Sequence, residues 1–238
     1  MERLDKIISN LGYGSRKEIK QVARKGLILV DGKIIKDSST LVDPEKSIIT
    51  VNGEEIFYRK NIYLIMNKPS GVVSATTDNV SETVIDLLEF EHQVFEPFPI
   101  GRLDKDTVGL LFLTNDGDLN HRLISPKFHV NKVYYAKIDK EVNDSDINAF
   151  KNGITLDDGY KCKEGILEIL SSSKEGSEVK VTISEGKYHQ VKRMFEALDK
   201  KVTYLKRIEF GGIPLDPELE EGEYRELTEE ELNQLKKF

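Results

Sequence analysis

The sequence predicts an α+β fold in two parts, a small N-terminal module and a larger domain. The 238 residues are enough for both parts. Helical and strand-like patterns mix along the chain without a regular strand–helix–strand period, which disfavours a doubly wound parallel sheet. A polar and basic stretch at residues 57–61 interrupts the apolar patterns, so we place the domains at residues 1–58 and 61–238.

The N-terminal module is predicted to begin with two helices. Apolar residues recur at helical spacing in the first, at Leu4, Ile7, Ile8 and Leu11. Ser15 and Glu18 then form the Ser-x-x-Glu pattern of a capping box, which predicts the start of the second helix. Strands at residues 26–30 and 33–35 flank a tight Asp-Gly turn, and residues 42–51 have a further strand pattern.

The larger domain is predicted to contain strands and helices in mixed order. Its strand patterns fall at residues 62–66, 109–114, 133–138, 165–170 and 179–184. Its helical patterns fall at residues 81–88, 118–123, 144–151 and 189–198. Near the C-terminus, Thr228 and Glu231 repeat the capping-box pattern and predict a short acidic helix.

The charge distribution bears on possible partners. A net charge of −7 would argue against a nucleic-acid partner, but residues 216–238 carry nine acidic and three basic side chains, nearly the whole imbalance. Residues 1–36 have a net charge of +5, and residues 184–207 have +4. Because phosphates respond to local charge, these two stretches are candidate nucleic-acid contacts.

Composition also disfavours several classes of protein. No apolar run approaches the roughly 18 residues that span a bilayer, and the N-terminus lacks the apolar core of a secretory signal. We therefore expect a cytoplasmic protein without a membrane partner. Cys162 is the single cysteine, so no intramolecular disulfide can form. The four histidines show no short metal-ligand spacing, and we expect no metal site.

The most informative motif runs from Gly101 to Gly117, where Asp104 precedes an apolar strand pattern at residues 109–113. Glycine-containing turns on both sides predict that Asp104 lies on a loop beside a buried strand, a common place for catalytic groups. We expect Arg102 to lie close to Asp104 and to favour its ionised form. An ionised and oriented carboxylate can act as a nucleophile.

Three other interpretations fit parts of this motif. Asp104 and Asp106 are also typical residues at the start of a turn. Together with Gly109 they match the beginning of a calcium-binding loop. That loop needs Asp or Asn at the position of Val108 and Glu at the position of Asn115, so the match fails. The two aspartates would also suit the acid and base of a glycosidase, but nothing in the sequence places them in one pocket at the required separation.

Four segments resemble the RsuA-type pseudouridine synthases, which isomerise uridine in ribosomal RNA. One is the motif around Asp104, Gly-Arg-Leu-Asp-x-x-Thr-x-Gly-Leu-Leu-x-Leu-Thr-Asn-Asp-Gly. Two others are Lys132-Val-Tyr134 and the basic segment at residues 185–195. The fourth, within residues 3–32, is similar to an S4 RNA-binding domain.

The resemblance implies both the fold and the chemistry. The fold would be an S4-type α/β module followed by a synthase domain with a mixed, mainly antiparallel sheet. Residues 67–69 would lie at the beginning of the synthase domain. The reaction breaks the bond between ribose and N1 of uracil, turns the base and rejoins it through C5, without redox change or cofactor. Asp104 would be the nucleophile, and the resemblance leaves open whether it attacks the sugar carbon or helps to form a glycal intermediate. Tyr134 would stack on the flipped base, and Lys192 would pair with Asp104.

The resemblance also implies which basic residues bind RNA. In the larger domain these are Arg102, Lys132, Lys187, His189 and Arg193. In the S4 module they share one face of the second helix, at Arg16, Lys17, Lys20 and Arg24. A charged helix face of this kind is also typical of an ordinary solvent-exposed surface.

Two segments favour a target in the small ribosomal subunit. Residues 188–195 and 222–230 look like the family members that act on small-subunit (16S) rRNA. We therefore expect a monomeric enzyme whose partner is that rRNA or an assembling small subunit. The alternatives are a large-subunit rRNA pseudouridine synthase and a non-catalytic S4-type RNA-binding protein, and the presence of Asp104, Tyr134 and Lys192 disfavours the second.

Overall fold

The computed structural model describes residues 1–44, 46–56 and 58–238, and contacts divide them into two compact units. The first unit comprises residues 1–62 and 88–97, and the second comprises residues 63–87 and 98–238. The first unit is therefore discontinuous, because it includes a ten-residue segment that lies within the larger domain in the division made from the sequence. Within the described ranges, no helix combines the length and the apolar character that a membrane span requires.

The first unit contains three helices and six short strands among its described residues. The helices are α1 (Leu4–Asn10), α2 (Arg16–Arg24) and α3 (Phe90–Gln93). The strands are β1 (Glu2–Arg3), β2 (Ile28–Val30), β3 (Lys33–Ile34), β4 (Leu41–Val42), β5 (Ile49–Val51) and β6 (Glu54–Ile56). Strands β3, β2, β5 and β6 form an antiparallel sheet in that order, and β1 pairs with β4. The single strand expected at residues 42–51 is instead two strands, β4 and β5.

Both predicted helices of the first unit form. The capping box at the start of α2 is confirmed, since the Ser15 side chain accepts a hydrogen bond from the Glu18 amide and the Glu18 side chain returns to Ser15. The discontinuous segment packs within this unit. The rings of Tyr58 and Phe95 lie 6.4 Å apart, and a Cβ atom at Gly12 would lie 3.4 Å from the ring of Phe90.

The second unit is built on one large sheet. Its strands are β7 (Tyr63–Lys68), β8 (Phe98–Pro99), β9 (Val108–Thr114), β10 (Lys132–Ile138), β11 (Ile166–Ser173), β12 (Gly176–Ile183), β13 (Val202–Phe210), β14 (Ile213–Pro214) and β15 (Tyr224–Glu226). The main order is β11-β12-β10-β13-β9-β7-β15, and among the described pairs only β9 and β13 run parallel. The prediction of a mixed, mainly antiparallel sheet is confirmed.

Four helices accompany this sheet. They are α4 (Gly117–Ile124), α5 (Asp144–Asn152), α6 (Gln190–Glu196) and α7 (Glu229–Leu235). Strand β9 is buried at every position, and its inward side chains join a core with α4 and α7 that includes Phe112, Leu119 and Leu235. The capping box predicted at Thr228 and Glu231 is present at the start of α7.

Gly109 makes the contact between β9 and β13 possible. Its φ is +101°, and a Cβ atom at this position would collide with the carbonyl oxygen of Arg207. Residues with a side chain rarely adopt this backbone conformation. Glycine is therefore required here both for its positive φ and for the close approach of the Arg207 backbone.

One prediction for the second unit was wrong, and one of its strands was not predicted. Residues 81–88 form turns rather than a helix, because Thr83 pairs with Val73 in an isolated bridge and its amide and hydroxyl both donate to Asp86. The nine-residue strand β13 was not expected, because its charged residues obscure the apolar pattern of a buried strand.

Candidate active site

The loop that carries Asp104 runs between β8 and β9, and hydrogen bonds fix its backbone. The buried hydroxyl of Ser74 donates to the Leu103 carbonyl at 3.0 Å and accepts from the Leu103 amide at 3.1 Å. The Thr107 amide donates to the Asp104 carbonyl at 3.1 Å, which closes a turn. These hydrogen bonds fix the backbone of Asp104, and its side chain is 26% exposed.

A fully buried lysine, Lys68 at the end of β7, supports the other end of this loop. Its ammonium donates to the carbonyls of Pro69 at 2.9 Å, Thr107 at 3.0 Å and Lys105 at 3.4 Å. Burial lowers the pKa of Lys68 to about 8, although the nearby carboxylate of Asp106 opposes this shift. Lys68 is therefore a buried cation held mainly by backbone carbonyls.

Lys192, on α6, joins the Asp104 loop to that helix. Its ammonium lies 2.9 Å from Oδ2 of Asp104 and 2.6 Å from Oδ1 of Asp106. Burial alone would lower the pKa of Lys192, but the hydrogen bonds to Asp106 and Asp104 outweigh it and raise the pKa. The same hydrogen bond lowers the pKa of Asp106. Asp104 therefore faces a cation that keeps its charge.

His189 is the second basic group beside Asp104, with Nε2 at 3.4 Å from Oδ1. Arg102, which we expected to favour the ionised form of Asp104, makes no ion pair with it among the described residues. Lys192 makes an ion pair with Asp104, and the His189 contact becomes one only when that ring is protonated, while Arg102 is exposed and lines the cavity. Although Arg102 lies two residues before Asp104 in the chain, its side chain lines the cavity and does not pair with the Asp104 carboxylate.

A cavity of about 630 Å³ opens beside Asp104, within the size range of pockets that enclose a small ligand. Tyr134, on β10, is 8% exposed and lines it. Five other residues singled out from the sequence line the same cavity: Asp104, Arg102, Lys132, Lys187 and His189. The structure therefore brings most of the predicted catalytic-domain residues together around one space.

Two buried cations lie under the aromatic ring of Phe210 at the inner end of this cavity. Lys132 donates to the Val130 carbonyl at 2.9 Å and lies 4.9 Å from the ring centre. Arg207 donates through Nε to the Leu110 carbonyl at 2.7 Å and lies 4.8 Å from the same ring. Burial, with a smaller contribution from Arg207, lowers the pKa of Lys132 to about 8. That Lys132 binds RNA stays a prediction, and its buried ammonium lines the cavity while bonded to the Val130 carbonyl.

Arg193, which we expected to bind phosphate, makes two ion pairs within the structure. Its guanidinium pairs with Asp157 and, at 2.7 Å, with Asp158, so two carboxylates already neutralise it. In the first unit, the four basic residues of α2 are all exposed and make no ion pair within the described ranges: Arg16, Lys17, Lys20 and Arg24. They remain available to an anionic partner.

Sequence reasoning missed several residues that build the site. Lys68 lies in the segment taken only as the start of the catalytic domain, and its sequence signal was a lysine following an apolar strand. Arg207 faces Tyr134 across the β10–β13 pair, yet its strand was not recognised. Ser74 and the bridging role of Asp106 have no signal in the sequence. In the described part of the chain, no group of three or more potential metal ligands is present.

The fold and this cavity can be compared with known families. Residues 62–197 match the model described as RNA pseudouridylate synthase, and residues 2–48 match the S4 domain. An S4 domain joined to a synthase domain defines an RNA-modifying enzyme with its own RNA-binding module. The chain belongs to the RNA pseudouridylate synthase family and is a pseudouridine synthase, which confirms the resemblance and the enzyme class predicted from the sequence.

Relatives of several kinds cover nearly the whole chain. An uncharacterized RNA pseudouridine synthase of Bacillus subtilis, YtzG, is 52% identical over 98% of both chains. Ribosomal small subunit pseudouridine synthase A of Escherichia coli is 37% identical over 97% of this chain and 98% of its own. Ribosomal large subunit pseudouridine synthase B of B. subtilis is 35% identical over 99% of this chain and 96% of its own. A crystal structure of a pseudouridylate synthase covers 99% of this chain and 100% of its own, with a TM-score of 0.69 and 36% identity.

Proposed function

We propose that this enzyme isomerises one specific uridine of small-subunit rRNA and that Asp104 is the nucleophile. The observation that carries the proposal is the position of Asp104. Its carboxylate is paired with Lys192, oriented by a fixed loop and adjacent to a cavity lined by Tyr134. A charged, fixed carboxylate beside an enclosed space is suited to attack on a substrate atom held there.

The steps of the isomerisation assign a role to each group. Asp104 attacks C1′ of the ribose, and the C1′–N1 bond breaks with its electron pair on uracil. The detached base stays in the cavity, turns and bonds to C1′ through C5, which releases Asp104. Removal of the C5 proton, matched by the gain of a proton at N1, then restores the aromatic base, so that substrate and product are isomers. Tyr134 stacks on the flipped uracil, and its hydroxyl takes part in the removal of this proton.

Lys192 orients Asp104 before the attack and places a positive charge beside its carboxylate. The raised pKa of Lys192 means that its ammonium keeps its positive charge through neutral pH. Asp106 shares the same ammonium but is largely exposed, so it supports Lys192 rather than reaching the substrate. No second catalytic carboxylate is needed for this reaction, which distinguishes it from the acid and base pair of a glycosidase.

RNA binding would use the basic residues that remain exposed. Lys187, His189 and Arg102 border the cavity and contact phosphates near the flipped nucleotide. The face of α2 in the first unit gives a second set of phosphate contacts, so we expect RNA affinity to fall steeply as salt rises.

The small-subunit assignment is supported by residues 188–195 and 222–230, which look like small-subunit members of the family, and by the relative of that name in E. coli. Large-subunit rRNA is the second candidate target, because a relative with that name in B. subtilis has nearly the same identity to this chain.

Tritium release tests both parts of the proposal. Small-subunit rRNA, labelled with tritium at C5 of uridine, is incubated with the protein and the modified position is mapped. Release at one uridine, abolished by Asp104→Asn and retained by Asp106→Asn, would support the proposal. Release from large-subunit rRNA alone would replace the target, and full activity of Asp104→Asn would remove Asp104 from its role.

A further inference from the structure

A stacked pair of rings, Tyr188 and His189, lies at the rim of the cavity. Their ring centres are 3.8 Å apart and their planes are inclined by 16°, so the rings lie face to face. Tyr188 is 76% exposed, and His189 contacts Asp104 on the inner side. The outer face of the tyrosine ring is therefore presented to solvent directly beside the nucleophile.

The backbone at this pair is unusual and firmly held. His189 has a φ of +49°, a left-handed conformation that is uncommon for a residue with a side chain. Buried Glu185 accepts a hydrogen bond from the Gln190 side chain at 2.6 Å and another from the Lys163 amide at 2.9 Å. Gln190 in turn accepts from the Lys187 amide at 2.8 Å. Such strain persists only where the surroundings determine it, and it is concentrated at functional sites.

The surroundings of the exposed ring indicate what it would bind. Lys187 lies one residue before Tyr188, and Arg102 borders the same cavity. A flat aromatic face next to cations matches a nucleobase together with its phosphates, since every base has a face that stacks on aromatic rings. Extrusion of a uridine into the cavity also unstacks the bases next to it in the strand, and these then need a new stacking partner.

We propose that the Tyr188–His189 ring pair is a stacking platform for the nucleobase immediately next to the target uridine in the RNA strand. This inference rests on the proposed function, because it needs an RNA uridine in the Asp104 cavity. The platform holds the flanking nucleotide in place while the uridine is flipped. It also positions the strand so that the ribose of the target faces Asp104.

The test combines a change in the protein with a change in the RNA. The RNA is a fragment that contains the uridine mapped by tritium release, with an abasic nucleotide placed on either side in turn. Its dissociation constant is measured for the wild type, Tyr188→Ala and Tyr188→Phe. Phe128→Ala is the matched control, since Phe128 is another exposed aromatic residue of the second unit.

Stacking on one base predicts a specific pattern. Tyr188→Ala and one of the two abasic substitutions should each weaken binding by about 5-fold to 100-fold. Together they should weaken it no further than either alone, because both remove the same stacking interaction. Tyr188→Phe should keep that interaction, and Phe128→Ala should leave the sensitivity to the abasic nucleotide unchanged.

Two other results would overturn the inference, and they differ from each other. In the first, the wild type releases tritium, but the loss of affinity from Tyr188→Ala multiplies with the loss from each abasic substitution. The proposed function would then hold, and the stacking platform would be refuted. If the wild type releases no tritium from any rRNA, the proposed function fails, and the assignment of a base next to a target uridine fails with it.

Discussion

The ammonium nitrogen of Lys192 lies 2.9 Å from a carboxylate oxygen of Asp104 and connects the start of α6 to the loop before β9. The proposed nucleophile therefore depends on a residue from a distant part of the sequence for its orientation and for a neighbouring positive charge. Because the lysine side chain is 17% exposed, water screens this ion pair only partly. Loss of either partner should have effects that are larger than those of an ordinary surface pair.

Replacement of Lys192 should reduce catalysis much more than it reduces RNA binding. Lys192→Met removes the cation that orients Asp104, and we expect the single-turnover rate on saturating RNA to fall by about 100-fold. Lys192→Arg should recover part of that rate. Asp106→Asn is the control, since it removes the other carboxylate of Lys192 and leaves the ion pair with Asp104. Equal losses in both variants would contradict the role given to the Asp104 pair.

Replacement of Lys68 should destabilise the protein. Lys68→Met leaves the carbonyls of Pro69 and Thr107 without their buried donor, which should lower the free energy of unfolding by about 2 to 3 kcal/mol. Lys105→Met, in the same loop but exposed, should change it by less than about 0.5 kcal/mol. Urea denaturation of the three proteins measures both values, and a negligible effect at Lys68 would refute this account.

The buried Lys132 should make stability depend on pH in the alkaline range. Its pKa is about 8 in the folded chain against an ordinary value of 10.5, so the unfolded chain binds more protons between these values. Stability rises with pH where the unfolded state holds more protons, so the wild type should gain stability relative to Lys132→Met from about pH 8 to pH 10.5. Denaturation of both proteins across this range would show a constant difference if Lys132 kept its ordinary pKa.

Gly109 and Gly222 offer a matched pair for the close approach of β9 and β13. Their φ values are similar, +101° and +97°, but only a Cβ at Gly109 would meet the backbone of Arg207. Gly222→Ala should therefore cost about 1 to 2 kcal/mol from backbone strain alone. Gly109→Ala should cost at least about 3 kcal/mol, because strain and collision add. Similar thermal shifts for the two variants would argue against the close approach.

The basic face of α2 should contribute to RNA binding through charge alone. Replacement of its four basic residues by Gln should weaken RNA binding at low salt, and the change should be smaller at high salt. The slope of log affinity against log salt should fall by about 0.7 to 0.9 for each phosphate that the variant no longer neutralises. Lys151 and Lys174, exposed in the second unit, serve as controls. An unchanged slope would show that α2 does not bind RNA.

Much of the site could be predicted because several of its residues belong to short sequence motifs whose members lie close together in the chain. The loop of Asp104 precedes a strand that is buried at all seven positions, and this apolar run is visible in the sequence. The capping box at Ser15 predicted the start of α2 for a similar reason, since its two partners lie three residues apart. Local patterns of this kind do not need knowledge of the tertiary structure.

The remaining features depend on contacts between distant residues. Arg207 is a buried cation in β13, where charged side chains hide a strand that tertiary pairing stabilises. Lys68 resembles any ordinary lysine until the loop carbonyls that it binds are located. Arg102 was expected beside Asp104 because they are near neighbours in the chain, whereas the pairing of Asp104 with the distant Lys192 was expected only from the family resemblance.

The discontinuity of the N-terminal unit has a consequence for the order in which the chain folds during synthesis. Residues 88–97 complete that unit, and Phe95 lies near Tyr58 within it. The unit therefore cannot finish folding until residue 97 has left the ribosome, by which time β7 has also emerged. Completion of the N-terminal unit thus requires a segment that follows β7 of the second unit, and Asp104 leaves the ribosome shortly after that segment.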